Sequence, residues 1–75
     1  MLVNIKLWNG KIFPLDVDPS VTIGTLNVMI QEKEGILSNQ QWLICNGEHL
    51  MEGKTLAEYN IQNDSTILLI IWMYD

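Results

Sequence analysis

Residues 1–35 read MLVNIKLWNGKIFPLDVDPSVTIGTLNVMIQEKEG, and this stretch decides the fold. Its first half alternates: Met1, Val3, Ile5 and Leu7 fall on one face, Asn4 and Lys6 on the other, with Leu2 the exception. A period of two with β-branched residues marks a half-buried strand. Trp8-Asn9-Gly10 reads as a hairpin loop, with Gly10 free to take a positive φ. Lys11 to Val17 alternates again and turns Phe13, Leu15 and Val17 inward. Pro14 points outward and has no N–H for a ladder, so this second strand is expected at a sheet edge. Asp18-Pro19-Ser20 ends the hairpin. The period then changes. Thr22 suits a helix N-cap, and Ile23, Leu26 and Ile30 recur at helical spacing. Lys33 and Glu34 close the helix, and Gly35 suits the left-handed position after it. Gly24, Thr25, Asn27 and Val28 are weak helix formers, so tertiary packing must hold this helix.

Beyond it, Gln41 to Cys45 reads as a short strand with Leu43 inward, and Asn46-Gly47 is a strong turn signal. Glu48 to Leu50 returns as another short strand, and Glu52-Gly53 breaks the chain again. Thr55 to Tyr59 is expected to form a single helical turn, with Ile61 buried after it. Thr66 to Tyr74 is the last strand, apolar on both faces. The order β-β-α-β-β-short helix-β implies an α+β protein of the β-grasp type. Its mixed sheet of four to five strands packs on one α-helix, and residues 1–75 form a single domain.

Composition narrows the function. A chain of 75 residues sits near the lower size limit for folding without staples. It has a single cysteine, Cys45, hence no internal disulfide, and no Cys/His cluster with metal-ligand spacing. No cofactor is expected. The apolar fraction of 48% must supply an efficient core. A net charge of −5, with four scattered lysines and no arginine, argues against nucleic acid and against an anionic membrane surface. No segment reads as a signal peptide. The apolar run from Ile67 to Met73 is too short to span a bilayer. A lone thiol fits a reducing setting, while the compartment itself is unknown.

Lys33-Glu34-Gly35-Ile36, Gln40-Gln41, Leu43-Ile44, Gly47, Thr55-Leu56, Tyr59-Asn60-Ile61-Gln62 and Ser65-Thr66 stand at unbroken spacing, joined by Gly10-Lys11, Pro19-Ser20 and Thr22-Ile23. In these pieces the chain resembles the ubiquitin family over its whole length and without a gap. The inward positions named above, with Leu50, Leu56, Ile67 and Leu69, stay apolar at roughly the family's volume, which is what a packed core tolerates. The resemblance implies that Tyr59 braces the loop preceding it. It also implies a Leu-Arg-Gly-Gly tail whose terminal carboxylate is adenylated and then passed to thiols and lysines. This chain instead reads Trp72-Met73-Tyr74-Asp75 there. An activating enzyme is therefore expected not to charge it, which a thioester assay would test. Lys6, Lys11 and Lys33 match family lysines, whereas Asn27, Met29, Glu48 and Asn63 replace others.

The resemblance also implies a recognition surface on the sheet. Ile44 is retained at its centre and Ile70 is a conservative replacement. Trp8 and Leu68 replace a leucine and a histidine, and Trp42 and Trp72 stand where the family has arginines. The candidate protein-interaction patch is thus Trp8, Trp42, Ile44, Leu68, Ile70 and Trp72, wider and greasier than the family's and without its cationic rim. Tryptophan is typical of binding hot spots. The uncharged run Ile67-Leu68-Leu69-Ile70-Ile71 also has high β propensity, which tips the expectation toward weak self-association over a specific partner of the ubiquitin-binding-domain type.

No catalytic constellation stands out. Cys45 with His49 as its base lacks a third orienting group or an oxyanion site. Cys45 reads instead as a small hydrophobe in a partly buried strand, and His49 as a solvated loop residue. Asp16 and Asp18 share an outward face, which suits a solvated edge that discourages strand pairing better than a cation site. Two readings follow, neither an enzyme. The first is a redesigned ubiquitin scaffold with no native function, since core positions are kept while functional surface positions change freely. The alternative is a diverged natural interaction module that docks through the apolar sheet patch.

Overall fold

The alternation of the first seventeen residues produces the hairpin that it requires. The structure is a computed structural model and describes residues 1–71. Strand β1 (Leu2–Leu7) pairs antiparallel with β2 (Ile12–Asp16), Ile5 facing Phe13 and Val3 facing Leu15. Between them Gly10 takes φ +89° and donates its N–H to the Leu7 carbonyl at 3.0 Å. Helix α1 (Ile23–Glu34) follows, then a 3₁₀ turn over Ser38–Gln40, then β3 (Gln41–Cys45), β4 (Glu48–His49) and β5 (Ser65–Ile71). The sheet order is β2-β1-β5-β3-β4, with β1 and β5 parallel and every other pair antiparallel. This is the mixed β-grasp sheet of five strands on one helix. Pro14 lies on β2 at the sheet edge, as its missing donor demands.

Helix α1 is weak in intrinsic propensity and is held from outside. The first four N–H groups of a helix have no partner within it. Here three of these are met by the 51–54 loop and the cap: Ile23 donates to the Lys54 carbonyl at 2.8 Å, Gly24 to that of Glu52 at 3.0 Å, and Thr25 to the hydroxyl of the N-cap Thr22 at 3.1 Å; Leu26 then donates to the Thr22 carbonyl at 3.0 Å, the first bond of the helix's own ladder. At the other end Gly35 takes φ +75° and returns its N–H to Gln31. The inward face carries Ile23, Leu26 and Ile30, each at most 1% exposed, onto Val3, Ile5, Leu43, Ile67 and Leu69 of the sheet. Nearly every inward position read from the alternation is buried; Met1 is half-buried against the core. Asn27 is the buried polar residue, and its amide donates to Gln41 Oε1 at 2.9 Å while Gln41 Nε2 returns to the Asn27 carbonyl at 2.8 Å.

Three expectations need correction. The segment Thr55–Tyr59 forms turns rather than a helical turn. The Thr55 hydroxyl accepts the Glu58 N–H, the Glu58 carboxylate accepts the Thr55 N–H, and Asn60 at φ +57° then reverses the chain before a second turn can form. The short helical element is instead the 3₁₀ turn before β3, where the Gln31 side chain accepts both the N–H and the hydroxyl of Ser38. Strand β4 ends at His49, although the Leu50 N–H still reaches the Leu43 carbonyl at 2.9 Å. The last strand starts one residue early, at Ser65, and its expected extension over 72–74 lies outside the described residues. Tyr59 does brace the preceding loop: its hydroxyl accepts the Met51 N–H at 2.8 Å. Among the described residues no helix is long and apolar enough to cross a membrane.

Cys45 faces the core at 5% exposure, its thiol 3.5 Å from the Thr66 carbonyl oxygen. Burial pushes this thiol up from its ordinary value, and the nearby Glu48 carboxylate adds to the effect. Thiolate is the reactive form. Alkylation of Cys45 by iodoacetamide, followed by mass spectrometry, should therefore run at least about tenfold slower in native than in urea-unfolded protein.

Two glycines should respond oppositely to alanine. Gly24 has no unusual φ, and an added Cβ would lie 3.4 Å from the Glu52 carbonyl oxygen, an ordinary contact. Gly24→Ala should stabilise the protein by about 0.5–1 kcal/mol. Gly35 at φ +75° has open space but the wrong backbone for a side chain, so Gly35→Ala should destabilise by about 1 kcal/mol. Urea midpoints at constant m-value would read both.

Candidate functional site

The sheet has two faces, and α1 covers only one. On the other, the register of β5 against its neighbours builds an apolar block. Leu68 lies between Lys6 of β1 and Ile44 of β3, and Ile70 lies opposite Trp42. Ile44 and Leu68 are half-buried by their neighbours, while Trp42 and Ile70 stand 37% and 41% exposed. The structure therefore brings together Trp42, Ile44, Leu68 and Ile70. Trp8 is 58% exposed and follows the end of β1, one residue past the Leu7–Leu69 pair, so it borders this block from the hairpin turn. Trp72 and the Trp72-Met73-Tyr74-Asp75 segment, on which the conjugation expectation rests, lie outside the described residues.

Sequence reading missed His49 as a member of this face. It is not a loop residue: its ring stacks on Trp42, with centroids 3.8 Å apart and planes 8° from parallel. The signal was the Asn46-Gly47 turn. Both residues take positive φ, +54° and +77°, as a two-residue hairpin turn of the primed type requires. That turn fixes Cys45 opposite Glu48 and Ile44 opposite His49. Successive side chains then alternate, which puts His49 on the outer face one diagonal from Trp42. The same alternation separates Cys45, turned into the core, from His49, turned out, so the two do not form a nucleophile–base pair. Asp16 and Asp18 do not act together either. Asp16 lies 3.4 Å from the N-terminal ammonium. Asp18 accepts the Ser20 hydroxyl at 2.7 Å and the Ser20 N–H at 2.9 Å, which lowers its carboxyl below the usual value. Among the described residues no group of three His, Cys, Asp or Glu side chains converges to hold a metal.

Beside the stacked pair a groove of about 490 Å³ opens between α1 and the β3–β4 edge. Gln41, Trp42, His49, Leu50, Met51 and Glu52 are among the residues that line it. Trp42 thus belongs both to the outer face and to the groove. The charges of the chain are unevenly paired. Lys11 pairs with Glu34 at 3.1 Å, Lys33 sits 5.5 Å above the Phe13 ring, and Lys54 sits 5.6 Å above the Tyr59 ring. Lys6 is the cation on the outer face itself.

Known proteins resemble this chain over nearly its whole length. A model described as the ubiquitin family matches residues 3–73. The ubiquitin-like protein NEDD8 of Dictyostelium discoideum is 35% identical over 71 residues, which is 95% of this chain and 92% of that protein. Ubiquitin-like protein 1 of Schizosaccharomyces pombe is 32% identical over 95% of this chain and 91% of its own length. The UV excision repair protein RAD23 homolog of Dictyostelium discoideum is 34% identical over 95% of this chain but only 21% of itself. The likeness therefore extends both to proteins of about this length and to a segment of a longer one. These matches give no support to the expectation of a redesigned scaffold without function; the alternative, a diverged ubiquitin-like protein, fits them better. A helix laid across a mixed sheet of β-grasp order, and a match running through nearly the whole length, lead to one conclusion: the chain belongs to the ubiquitin family.

Proposed function

We propose that this protein is a non-catalytic interaction module that docks partner proteins through the outer face of β3 and β5. Ile44 and Leu68 form its centre, with Trp42, Ile70 and Trp8 around them. One observation carries this reading: β5 is apolar on both faces, α1 covers Ile67 and Leu69, and Leu68 and Ile70 meet Ile44 and Trp42 on the uncovered side. A contiguous apolar patch bordered by polar residues marks a docking site, and aromatic anchors supply most of the binding energy in such sites.

The placement of β5 favours a partner over self-association by strand pairing. The uncharged run Ile67–Ile71 hydrogen-bonds with β1 on one side and β3 on the other. It is an interior strand, paired with β1 over Ser65–Leu69 and with β3 over Leu68–Ile71, which leaves little edge to template a second copy. What remains for recognition is side-chain surface, which suits a complementary apolar patch on another domain.

Ubiquitin-binding domains provide the test, titrated into ¹⁵N-labelled protein. Saturable shifts are expected on the amides of β3 and β5, with micromolar affinity. Ile44→Ala and Leu68→Ala should each weaken binding by about tenfold or more while leaving a dispersed, folded spectrum. A folded wild-type spectrum that none of these domains perturbs would refute the docking role.

A further inference from the structure

We infer that the partner segment is basic and amphipathic, and that it seats an arginine side chain in the groove beside the Trp42–His49 stack, with Glu52 as the counter-charge. This deepens the docking reading and rests on it. The first support is the charge left over on the surface. The chain carries nine acidic residues against four lysines. Three of those lysines are engaged internally, Lys11 with Glu34 and Lys33 and Lys54 over aromatic rings. Among the described residues only Asp16 and Glu34 take part in ion pairs, which leaves Asp18, Glu32, Glu48, Glu52, Glu58 and Asp64 without a cation. A surface of this kind attracts cationic partners and repels acidic ones.

The second support is the chemistry of the groove. Its volume of about 490 Å³ lies within the range of side-chain and small-ligand sites. The amides of Asn27 and Gln41 at its base already bond each other, and Gln41 Nε2 also donates to the Ile36 carbonyl. They therefore offer little to an incoming ligand. What the walls also present is the stacked rings of Trp42 and His49, the buried Leu50, the 55% exposed Met51, the polar Ser38 and Asn39, and one acidic residue, Glu52. Rings and apolar side chains interleaved with polar residues and a single acidic residue match a long aliphatic stem that ends in a cation with several N–H donors. Arginine fits better than lysine, because its planar guanidinium lies flat against aromatic rings and bonds a carboxylate through two N–H groups at once.

The third support is continuity. Trp42 borders both the groove and the Ile44–Leu68 block, so one amphipathic segment can lay its apolar face on the block and reach the groove with a neighbouring arginine.

The probe is a short synthetic amphipathic peptide with leucines on one face and arginines on the other, compared with its counterpart in which every arginine is glutamate. The arginine peptide should bind, shift the Trp42 indole and the His49 and Glu52 amides, and weaken as salt is raised. Glu52→Gln should lower its affinity by about fivefold. Glu32→Gln removes the same charge from the helix surface, away from the groove, and should change affinity by less than about twofold. Equal losses from the two variants would reduce the effect to overall charge and overturn the proposal. Tight binding of the glutamate peptide, with shifts at Ile44 and Leu68 and none at Glu52, would overturn the basic partner and leave the docking face standing. Shifts from neither peptide at either place would sink both.

Discussion

Strand β5 imposes the constraint from which the rest of this structure follows. A run of consecutive apolar residues belongs in a strand covered on both faces, as in sheets flanked by helices on either side. Among the described residues there is one α-helix. Ile67 and Leu69 therefore find their cover in Leu26, Ile30 and the rest of the core, while Leu68 and Ile70 look outward with only side neighbours to shade them. Placing β5 at the centre of the sheet pairs its backbone with β1 over Ser65–Leu69 and with β3 over Leu68–Ile71. That placement also gathers the outward residues of three strands into one surface. The unmet half of the demand made by β5 is the physical origin of the recognition face.

The opposite side of the sheet shows how a helix of poor propensity is kept. Glycine, threonine, asparagine and valine within α1 give it little intrinsic stability, and a helix this short is marginal alone. Two carbonyls of the 51–54 loop and the Thr22 cap take its first N–H groups, and its last turn is tied through Gln31 to Ser38. The Asn27–Gln41 exchange then locks the helix to the start of β3. Polar groups buried in this way hold position only because each is paired, and they fix how far α1 stands from the β3–β4 edge. The groove beside Trp42 owes its width to that spacing.

Much of this was legible in the chain itself. The alternation from Met1 to Val17, the Thr22 cap and the glycine at 35 predict the hairpin and the helix limits, because each depends on neighbours close in sequence. Pro14 announces an edge strand for the same reason. The turn at Thr55–Asn60 was misread because its outcome depends on a side-chain exchange between Thr55 and Glu58 and a left-handed Asn60, not on periodicity. In the candidate site, Ile44, Leu68 and Ile70 follow from alternation together with the family resemblance. His49 was missed because its partner Trp42 is reached only across the hairpin. The register that joins them is set by Asn46-Gly47, and the ring contact follows only from pairing across that turn. The groove was beyond sequence reading, since it depends on the distance between a helix and a sheet edge.

The parallel contact between the first and last strands sets the order in which the protein can acquire its shape. Val3 lies beside Ser65 and Leu7 beside Leu69, so β1 gains its inner neighbour only when residues 65–69 are available. A ribosome delivers residues from the amino end. The hairpin and helix emerge with their greasy sides bare, and nothing completes them until residue 71 has cleared the exit tunnel. Contacts this distant in sequence slow folding, and exposed apolar surface during the wait invites chaperone capture or misassembly. The native form can therefore be completed only once residue 71 has emerged.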